Sequence, residues 1–329
     1  MALVSFAHAI PSVRHSVEHV AELTGADVDF VRDKVGLLQR YVLADDETGI
    51  SLAHNACEAL FEKVPGLRET VDLLIFVTQT PDQRLPQNSA GLCASLGLPN
   101  TVASFDISLG CSGYVYAVVT AEGFLKQTGG KNAIVVTCDP YSRIIDPSNK
   151  DTNCVFGDAA TATFVSVEED GGKIIATDFG TKGEDGEAIC IPEGGAAKPI
   201  SGELASRLPV SEADDLRLHM KGRAVFNFVN TVVPTSIKKC AEAGSVDLNS
   251  IDIFALHQGS VYMLSAMVKR LGIDSEKVVI NMGEYGNTVS SSIPLIMSEL
   301  SEKTSLSGKL VLMSGFGVGL SWSTAIVQF

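Results

Sequence analysis

Cys111 stands in a setting that suits a nucleophile. The chain reads Leu109-Gly-Cys-Ser-Gly around it, and a helical pattern follows at once. A thiol at the start of a helix faces unpaired backbone N–H groups and the positive end of the helix dipole, which lower its pKa. Gly110 and Gly113 permit a sharp turn and close approach of a substrate. Cys111 is therefore a candidate carrier of an acyl group; the alternative is a small buried hydrophobic residue.

Two further side chains could act on such an acyl group. His257 follows the apolar run 253–256, so it is expected at the C-terminal end of a strand, where active sites of α/β proteins gather. Its neutral imidazole could donate a hydrogen bond to a thioester carbonyl or shuttle a proton. Asn287, in Gly-Asn-Thr, could donate to an enolate or oxyanion. A structural histidine and a turn or helix-cap asparagine are the alternatives.

The glycine-rich run 315–319 does not fit a phosphate-binding loop. Only ten residues follow Gly319, and the pattern GxxxxGK[ST] occurs nowhere in the chain. A better interpretation is an oxyanion hole, in which a backbone N–H at Gly317 joins that of Cys111. Close packing of strands is the alternative reason for these glycines.

The composition limits the class of protein and of partner. The 329 residues are 45% hydrophobic and 19% charged, which indicates a well-buried globular protein. The net charge of −14 argues against nucleic acid as a partner, because phosphate binding requires a basic surface. No apolar run is long enough to span a membrane, and the N-terminus lacks a signal-peptide pattern. The seven scattered cysteines fit neither a disulfide framework nor a metal site, so we expect a cytoplasmic protein without a bound metal.

The elements that must position these residues follow an α/β pattern. Short apolar runs predict buried strands, and longer amphipathic segments between them predict covering helices. The predicted strands are residues 73–77, 133–137, 161–165, 253–256 and 310–313. Residues 180–215 are rich in glycine, proline, serine and charge, and this composition predicts a long surface insertion.

The second half of the chain repeats the order of elements of the first. Helix-like segments 88–96 and 261–271 follow the strands that begin at Asp72 and Asp252, and residues 106–110 and 278–280 come next. On this overlay Cys111 and Asn287 occupy equivalent turns before a helix. A pseudo-twofold axis between the halves 1–167 and 168–329 would bring both turns to one central site.

Several ordered motifs together carry a family resemblance along essentially the whole chain. They are Asp-Ile-Ser-Leu-Gly-Cys-Ser-Gly-Tyr at 106–114, Phe-Gly-Asp-Ala-Ala at 156–160, His-Gln at 257–258, Gly-Asn-Thr at 286–288 with Ser-Ile-Pro at 292–294, and Gly-Phe-Gly-Val-Gly-Leu-Ser-Trp at 315–322. This set resembles the β-ketoacyl-acyl carrier protein synthase III family of the thiolase superfamily. The resemblance implies a five-layered αβαβα fold, a homodimer, and thioesters of coenzyme A or acyl carrier protein as substrates, with no permanently bound cofactor.

The resemblance also implies a two-stage reaction. Cys111 takes an acyl group, and His257 and Asn287 stabilise the enolate formed when a malonyl thioester loses CO₂. The enolate then attacks the acyl-cysteine, in fatty-acid or specialised-metabolite biosynthesis.

This chain departs from the family pattern around the expected substrate tunnel. Phe30 and Lys34 stand where relatives present Trp and Arg, and Lys150 and Tyr262 replace two further arginines. Arg223 stands where Asn is usual. Because these positions in relatives help to hold coenzyme A, we expect a specialised acyl donor, such as one bound to a carrier protein. Leu85 takes the place of a bulky partner-subunit Phe that closes the acyl pocket, which predicts a longer acyl chain.

Two other functions are compatible with the same residues. The acyl group on Cys111 could pass to an amine or hydroxyl without decarboxylation, as in some relatives. The chain could also be a non-catalytic partner in a heteromeric synthase, although such partners commonly lack the nucleophile or the histidine.

Overall fold

The strands form two main sheets. A computed structural model describes residues 2–200 and 216–329 of the chain. The strands of the first sheet are β1 (Ala2–Ala9), β4 (Leu73–Val77), β5 (Ala103–Ile107), β6 (Asn132–Cys138) and β7 (Ala160–Ser166). Those of the second are β8 (Lys173–Thr181), β11 (Ile253–Leu256), β12 (Leu310–Gly317) and β13 (Ser321–Gln328). Two short pairs join β2 (Val13–Ser16) to β3 (Gln39–Val42) and β9 (Ile189–Cys190) to β10 (His219–Met220).

The two sheets repeat one topology. The first has the order β1-β7-β6-β4-β5 and the second has the order β8-β13-β12-β11. In each sheet the first two neighbouring pairs are antiparallel and the third is parallel. In the first sheet β5 pairs in parallel with β4. In the second sheet the corresponding pairing of β11 is a single bridge between Phe254 and Val278. The predicted internal repeat is therefore confirmed, and residues 278–280, the counterpart of 106–110, contribute this single bridge.

Helices form three layers around the two sheets. Gly49–Lys63 and Asn88–Ser95 cover the outer face of the first sheet, and Gly222–Ala243 and Val261–Leu271 lie on the outer side of the second. Gly113–Thr128 and Ser292–Lys303 pack between the sheets in one apolar cluster with residues of both. This is the predicted five-layered αβαβα fold. It brings the starts of both central helices to the middle of the molecule.

Shorter helices complete the described parts of the chain. The α-helices are Val17–Thr24, Val28–Phe30, Leu67–Thr70, Lys150–Asn153 and Met282–Tyr285, and Val31–Val35 is a π-helix. The 3₁₀-helices are Tyr141–Arg143, Gly183–Ala188, Leu248–Ser250, Ser275–Lys277 and Val289–Ser291. Within residues 2–200 and 216–329, no helix combines the length and apolar character needed to cross a membrane.

Two sequence predictions concern the boundary between the halves and the segment 180–215. The division of the chain at residue 168 stays a prediction; the position falls in the loop between β7 and β8. The expected insertion at 180–215 includes the end of β8, a 3₁₀-helix and β9, so its first part is more ordered than predicted. Its residues 201–215 lie outside the described part of the chain.

Candidate active site

Cys111 lies in the turn that joins β5 to the central helix Gly113–Thr128. The N–H of Gly113 donates to the carbonyl of Gly110 at 2.8 Å, which closes the turn. A Cβ on Gly113 would lie 2.5 Å from a methyl group of Val77, and one on Gly110 would overlap the side-chain oxygen of Gln79. Glycine is therefore required at position 113, and a side chain at position 110 would displace the Gln79 amide. The turn leaves Cys111 itself only 6% exposed.

His257 follows the last residue of β11, as predicted from its position after an apolar run. Its backbone N–H donates to the carbonyl of Ser314 at 2.9 Å, which continues the pairing with β12. The ring nitrogen Nδ1 lies 2.8 Å from the hydroxyl of Ser292, and the ring meets Phe316 edge to face at 5.2 Å. Burial lowers the pKa of His257 to about 3. A hydrogen bond with the Val289 backbone acts in the opposite direction but is the smaller effect. The imidazole is therefore neutral at physiological pH.

Asn287 is held by its backbone and by its side-chain oxygen. Its N–H donates to the carbonyl of Val155 at 2.9 Å, and its carbonyl accepts from the N–H of Gly157 at 3.0 Å. The side-chain oxygen accepts from the N–H of Val289 at 2.9 Å. Because that contact identifies the oxygen, the NH₂ group of Asn287 remains available as a donor.

One cavity of about 550 Å³ joins the three predicted catalytic residues. Cys111, His257 and Asn287 all contribute to its wall. Phe30, Lys34, Gly317 and Tyr262 of the predicted set also line it, together with Val35, Tyr141, Val155, Phe156, Ile189, Met220, Gly222, Val225, Phe226, Val229, Gly259, Ser260, Met263, Phe316 and Val318. The wall is mostly apolar, with a few polar groups, as is usual for small-molecule sites.

The glycine-rich strand end packs directly on the sulfur. A Cβ on Gly317 would lie 2.8 Å from Sγ of Cys111. The backbone N–H of the next residue, Val318, bonds to that sulfur, as does the N–H of Cys111 itself. The N–H of Val318, rather than that of Gly317, therefore bonds to the sulfur beside the N–H of Cys111.

The resting thiol of Cys111 does not have the lowered pKa that its place before a helix predicts. Burial raises the pKa of the thiol, and the negative charge of Asp139 adds to the increase. The backbone N–H groups of Cys111 and Val318 lower the pKa, but they do not outweigh burial and the charge of Asp139. The sulfur is therefore a neutral thiol before a substrate arrives.

Three predicted substrate-binding residues do not line the cavity. Leu85 is 86% exposed. Lys150 begins a short helix and is exposed. Arg223 is also exposed, in the first turn of the helix Gly222–Ala243. Their side chains take no part in the described wall.

Sequence reasoning missed several residues of the site. Tyr141 is a buried part of the wall, and its hydroxyl donates to the side-chain oxygen of Gln79 at 2.8 Å. Phe226 stacks on Tyr262 with the ring centroids 5.4 Å apart. Ser292 could have been found from the repeat, because it begins the helix equivalent to the one after Cys111.

Comparison with known proteins identifies the family. The family model for 3-oxoacyl-[acyl-carrier-protein (ACP)] synthase III matches residues 105–183, and the model for its C-terminal part matches residues 240–329. The β-ketoacyl-[acyl-carrier-protein] synthase III of Streptococcus sanguinis is 33% identical over 324 residues, which cover 98% of this chain and 97% of the relative. The chain belongs to this synthase III family. It is a condensing acyltransferase of the thiolase superfamily, as its motifs predicted.

Solved structures of synthase III enzymes share the whole fold. One crystal structure of a 3-oxoacyl-(acyl-carrier-protein) synthase III matches with a TM-score of 0.93 and 31% identity, covering 100% of this chain and 99% of that one. The 3-oxoacyl-(acyl-carrier protein) synthase of Burkholderia xenovorans LB400 matches with a TM-score of 0.90 and 31% identity, covering 99% and 93%. Both matches confirm the thiolase-like fold class.

Proposed function

We propose that Cys111 accepts an acyl group from a thioester and that the chain joins this group to a malonyl thioester with loss of CO₂. The observation that carries the proposal is the convergence of Cys111, His257 and Asn287 on one largely apolar cavity. Decarboxylative condensation in fatty-acid or specialised-metabolite biosynthesis agrees with membership of the synthase III family.

The first half-reaction moves the acyl group to the cysteine. The bond between the acyl carbon and the sulfur of Cys111 forms, the bond to the donor sulfur breaks, and the thiol proton ends on the departing thiol. Because burial disfavours a free thiolate, proton loss and attack are coupled. The backbone N–H groups of Cys111 and Val318 stabilise the negative oxygen of the tetrahedral intermediate.

The second half-reaction forms a carbon–carbon bond. The bond from the malonyl carbon to its carboxylate breaks, CO₂ leaves, and the electron pair moves towards the thioester oxygen. His257 and the NH₂ group of Asn287 donate hydrogen bonds to that oxygen. The enolate carbon then attacks the acyl carbon, and the sulfur of Cys111 leaves and takes up a proton. Two neutral donors suit an oxygen that gains negative charge only during the step.

The donor is a thioester of coenzyme A or of an acyl carrier protein, and the family needs no resident cofactor for this chemistry. Phe30 is 48% exposed and Tyr262 is 58% exposed although both line the cavity, so they stand at its mouth with Lys34. A phosphopantetheine arm entering there would reach Cys111. Lys150 and Arg223 remain proposed contacts for the part of the donor outside the cavity. Coenzyme A titration of a Lys150→Glu variant tests this, since unchanged affinity would remove that residue from the proposal.

A homodimer is the proposed assembly. Within the described residues, β5 pairs on one side only, with β4, and residues 103–107 are partly exposed along their whole length. An edge strand of this kind can pair with the same strand of a second copy. The exposed Leu85 would then be available to the partner's acyl pocket. The seven free cysteines support a reducing compartment, with the cytoplasm as the predicted one.

Intact-mass spectrometry tests the proposed acyl-enzyme. The protein and its Cys111→Ala variant are incubated with coenzyme A and carrier-protein thioesters of increasing length, and then with a malonyl thioester. We expect an acyl adduct that requires Cys111 and disappears on addition of the malonyl thioester. An adduct discharged only by an amine or alcohol would indicate transfer without decarboxylation. A protein that forms no adduct with any donor would indicate a non-catalytic subunit.

A further inference from the structure

Asp139 is a fully buried carboxylate that the reaction described above does not use. It follows β6 and is 0% exposed. Its Oδ1 accepts from the backbone N–H of Gln79 at 2.6 Å, and its Oδ2 accepts from the hydroxyl of Ser290 at 2.5 Å, with the Ser290 N–H further away at 3.4 Å. Both oxygens therefore face donors, an arrangement that matches the ionised form.

Ser290 belongs to the turn that orients both condensation donors. Val289, the residue before it, has φ of 54°, which is rare for a β-branched residue and must be imposed by its surroundings. The Val289 N–H fixes the side-chain oxygen of Asn287, and its backbone also bonds to His257. The position of this one residue therefore bears on two catalytic side chains.

The turn is fastened to the first half of the molecule by two neighbouring serines. Ser290 bonds to Asp139, and the hydroxyl of Ser291 donates to the carbonyl of Ala159 at 2.9 Å and lies 2.8 Å from the hydroxyl of Thr137. The Asp139 contact is the only one of these attachments that involves a charged group. Charge-assisted hydrogen bonds are stronger and more directional than neutral ones.

We propose that Asp139 is a positioning residue for the condensation half-reaction, which holds the turn Val289–Ser291 so that Asn287 and His257 face the enolate oxygen. This inference rests on the proposed function. It assigns Asp139 no contact with the substrate. Acylation of Cys111, which uses backbone donors on another part of the wall, depends on it much less.

The surroundings of Asp139 make its protonation measurable. Burial raises its pKa to about 6, and no charged side chain within residues 2–200 and 216–329 contributes to that change. In the described part of the chain, the titratable groups that face it are Cys111, Cys138 and Tyr141, whose pKa values burial raises, so all three are neutral at pH 6. His257, with its pKa lowered to about 3, is also uncharged there. A loss of condensation as the pH falls through about 6 that is absent from Asp139→Asn would therefore be assigned to Asp139.

The test compares two half-reactions in the full-length protein and in Asp139→Asn. Acylation is followed by intact mass, and condensation by CO₂ release from the acyl-enzyme, between pH 5 and 8. We expect Asp139→Asn to reduce condensation about tenfold or more while acylation changes by less than about threefold, as for loss of a buried charge-assisted hydrogen bond. The fall in the wild-type rate below pH 6 should be absent in the variant. Alkylation of Cys111 by iodoacetamide should be faster than in the wild type above pH 6, where Asp139 is ionised, because a negative neighbour has been removed.

Two further variants separate positioning from general damage. Ser290→Ala removes the same hydrogen bond but keeps the charge, so condensation should fall while the alkylation profile stays as in the wild type. Asp158→Asn changes another fully buried carboxylate, which bonds to Leu43 and Ser142 and not to the turn. It should lower the melting temperature without separating the two half-reactions.

The inference would be overturned if Asp139→Asn, like Asp158→Asn, lost acylation and condensation to the same extent. An unchanged condensation rate in Asp139→Asn would also overturn it. A wild-type protein that forms no acyl-enzyme or releases no CO₂ would instead overturn the proposed function.

Discussion

Gly317 lies so close to Cys111 that a Cβ built on it would fall 2.8 Å from Sγ and 2.9 Å from the Cβ of the cysteine. Real Cβ atoms essentially never approach a neighbour so closely, and Gly317 is part of β12, where its backbone pairs with Ser321. Either the strand or the nucleophile must move when a side chain is added. The second half of the molecule thus contributes to the position of the sulfur.

Gly317→Ala is expected to impair acylation. Displacement of the sulfur from the Val318 N–H should reduce the acylation rate by at least about tenfold, and overpacking should cost about 1–3 kcal/mol of unfolding free energy. Gly123→Ala is the control, since a Cβ there would meet nothing within 4 Å on the exposed side of its helix. That change should stabilise by about 0.5–1 kcal/mol without altering acylation. Equal acylation rates for both variants would contradict the assigned contact.

Asn287→Asp should block condensation and spare acylation. A carboxylate oxygen can still accept from the Val289 N–H, so the shape of the turn is kept, but the two N–H donors are lost and a negative charge replaces them. We expect CO₂ release to fall about 10²–10³-fold. Mass spectrometry should still show the acyl adduct. A variant that condenses at near the wild-type rate would show that Asn287 does not contact the enolate oxygen.

Ser292→Ala should weaken the contribution of His257. The Ser292 hydroxyl lies 2.8 Å from Nδ1 of the ring and also accepts from the N–H of Gln258 at 3.2 Å. Because the hydroxyl oxygen accepts from this N–H, the hydroxyl can donate its hydrogen bond to Nδ1. The ring proton of the neutral imidazole is then on Nε2, from which it can donate to the substrate. Loss of this orienting group should slow condensation about tenfold or more. Ser292→Thr keeps the hydroxyl and should restore most of the rate; if Ala and Thr behave alike, the hydroxyl does not set the tautomer.

Tyr141 is expected to limit the length of the acyl group. Its buried ring forms part of the cavity wall with Cys111, packs against Phe156 with centroids 4.9 Å apart, and is held at its hydroxyl by Gln79. Tyr141→Leu should raise acylation by longer donors relative to acetyl donors about tenfold or more. Tyr141→Phe keeps the ring and should keep the wild-type preference. If Phe and Leu give the same profile as the wild type, the acyl chain lies along another wall.

The parts of the fold that could be predicted from the sequence are those with unbroken apolar runs. β4 is buried at all five positions and its residues Leu-Leu-Ile-Phe-Val contain no polar group, as expected for a strand covered on both faces. The same holds for most of β11. The turns at Cys111 and Asn287 could be found because glycine is required for their close contacts.

β8 and β13 could not be predicted by the same reasoning. β13 reads Ser-Trp-Ser-Thr-Ala-Ile-Val-Gln, and its serine and threonine residues are buried and hydrogen-bonded to residues outside the strand. The hydroxyl of Ser323 donates to the carbonyl of Ser112 at 2.8 Å, and that of Thr324 lies 2.9 Å from the hydroxyl of Ser314. A hydrophobic pattern does not reveal buried polar residues whose partners lie elsewhere in the chain.

The chemistry of the site was only partly accessible from local sequence. The position of Cys111 before a helix predicted a lowered pKa, but burial and the charge of Asp139 outweigh the backbone N–H groups at the sulfur, one of which comes from the distant Val318. Both depend on the packed structure. Lys150 and Arg223 show a similar limit, because a family position predicts where the backbone runs and not whether a side chain lines the cavity.

The most direct test of the proposed function is a single-turnover count of CO₂. Acyl-enzyme is prepared, freed of donor and mixed with a malonyl thioester labelled in its free carboxylate. The proposed reaction predicts one labelled CO₂ and one new β-ketoacyl thioester for each acyl group lost from Cys111, and no β-ketoacyl thioester from the Cys111→Ala variant carried through the same procedure. Loss of the acyl group without CO₂, or a β-ketoacyl thioester that forms without Cys111, would contradict it.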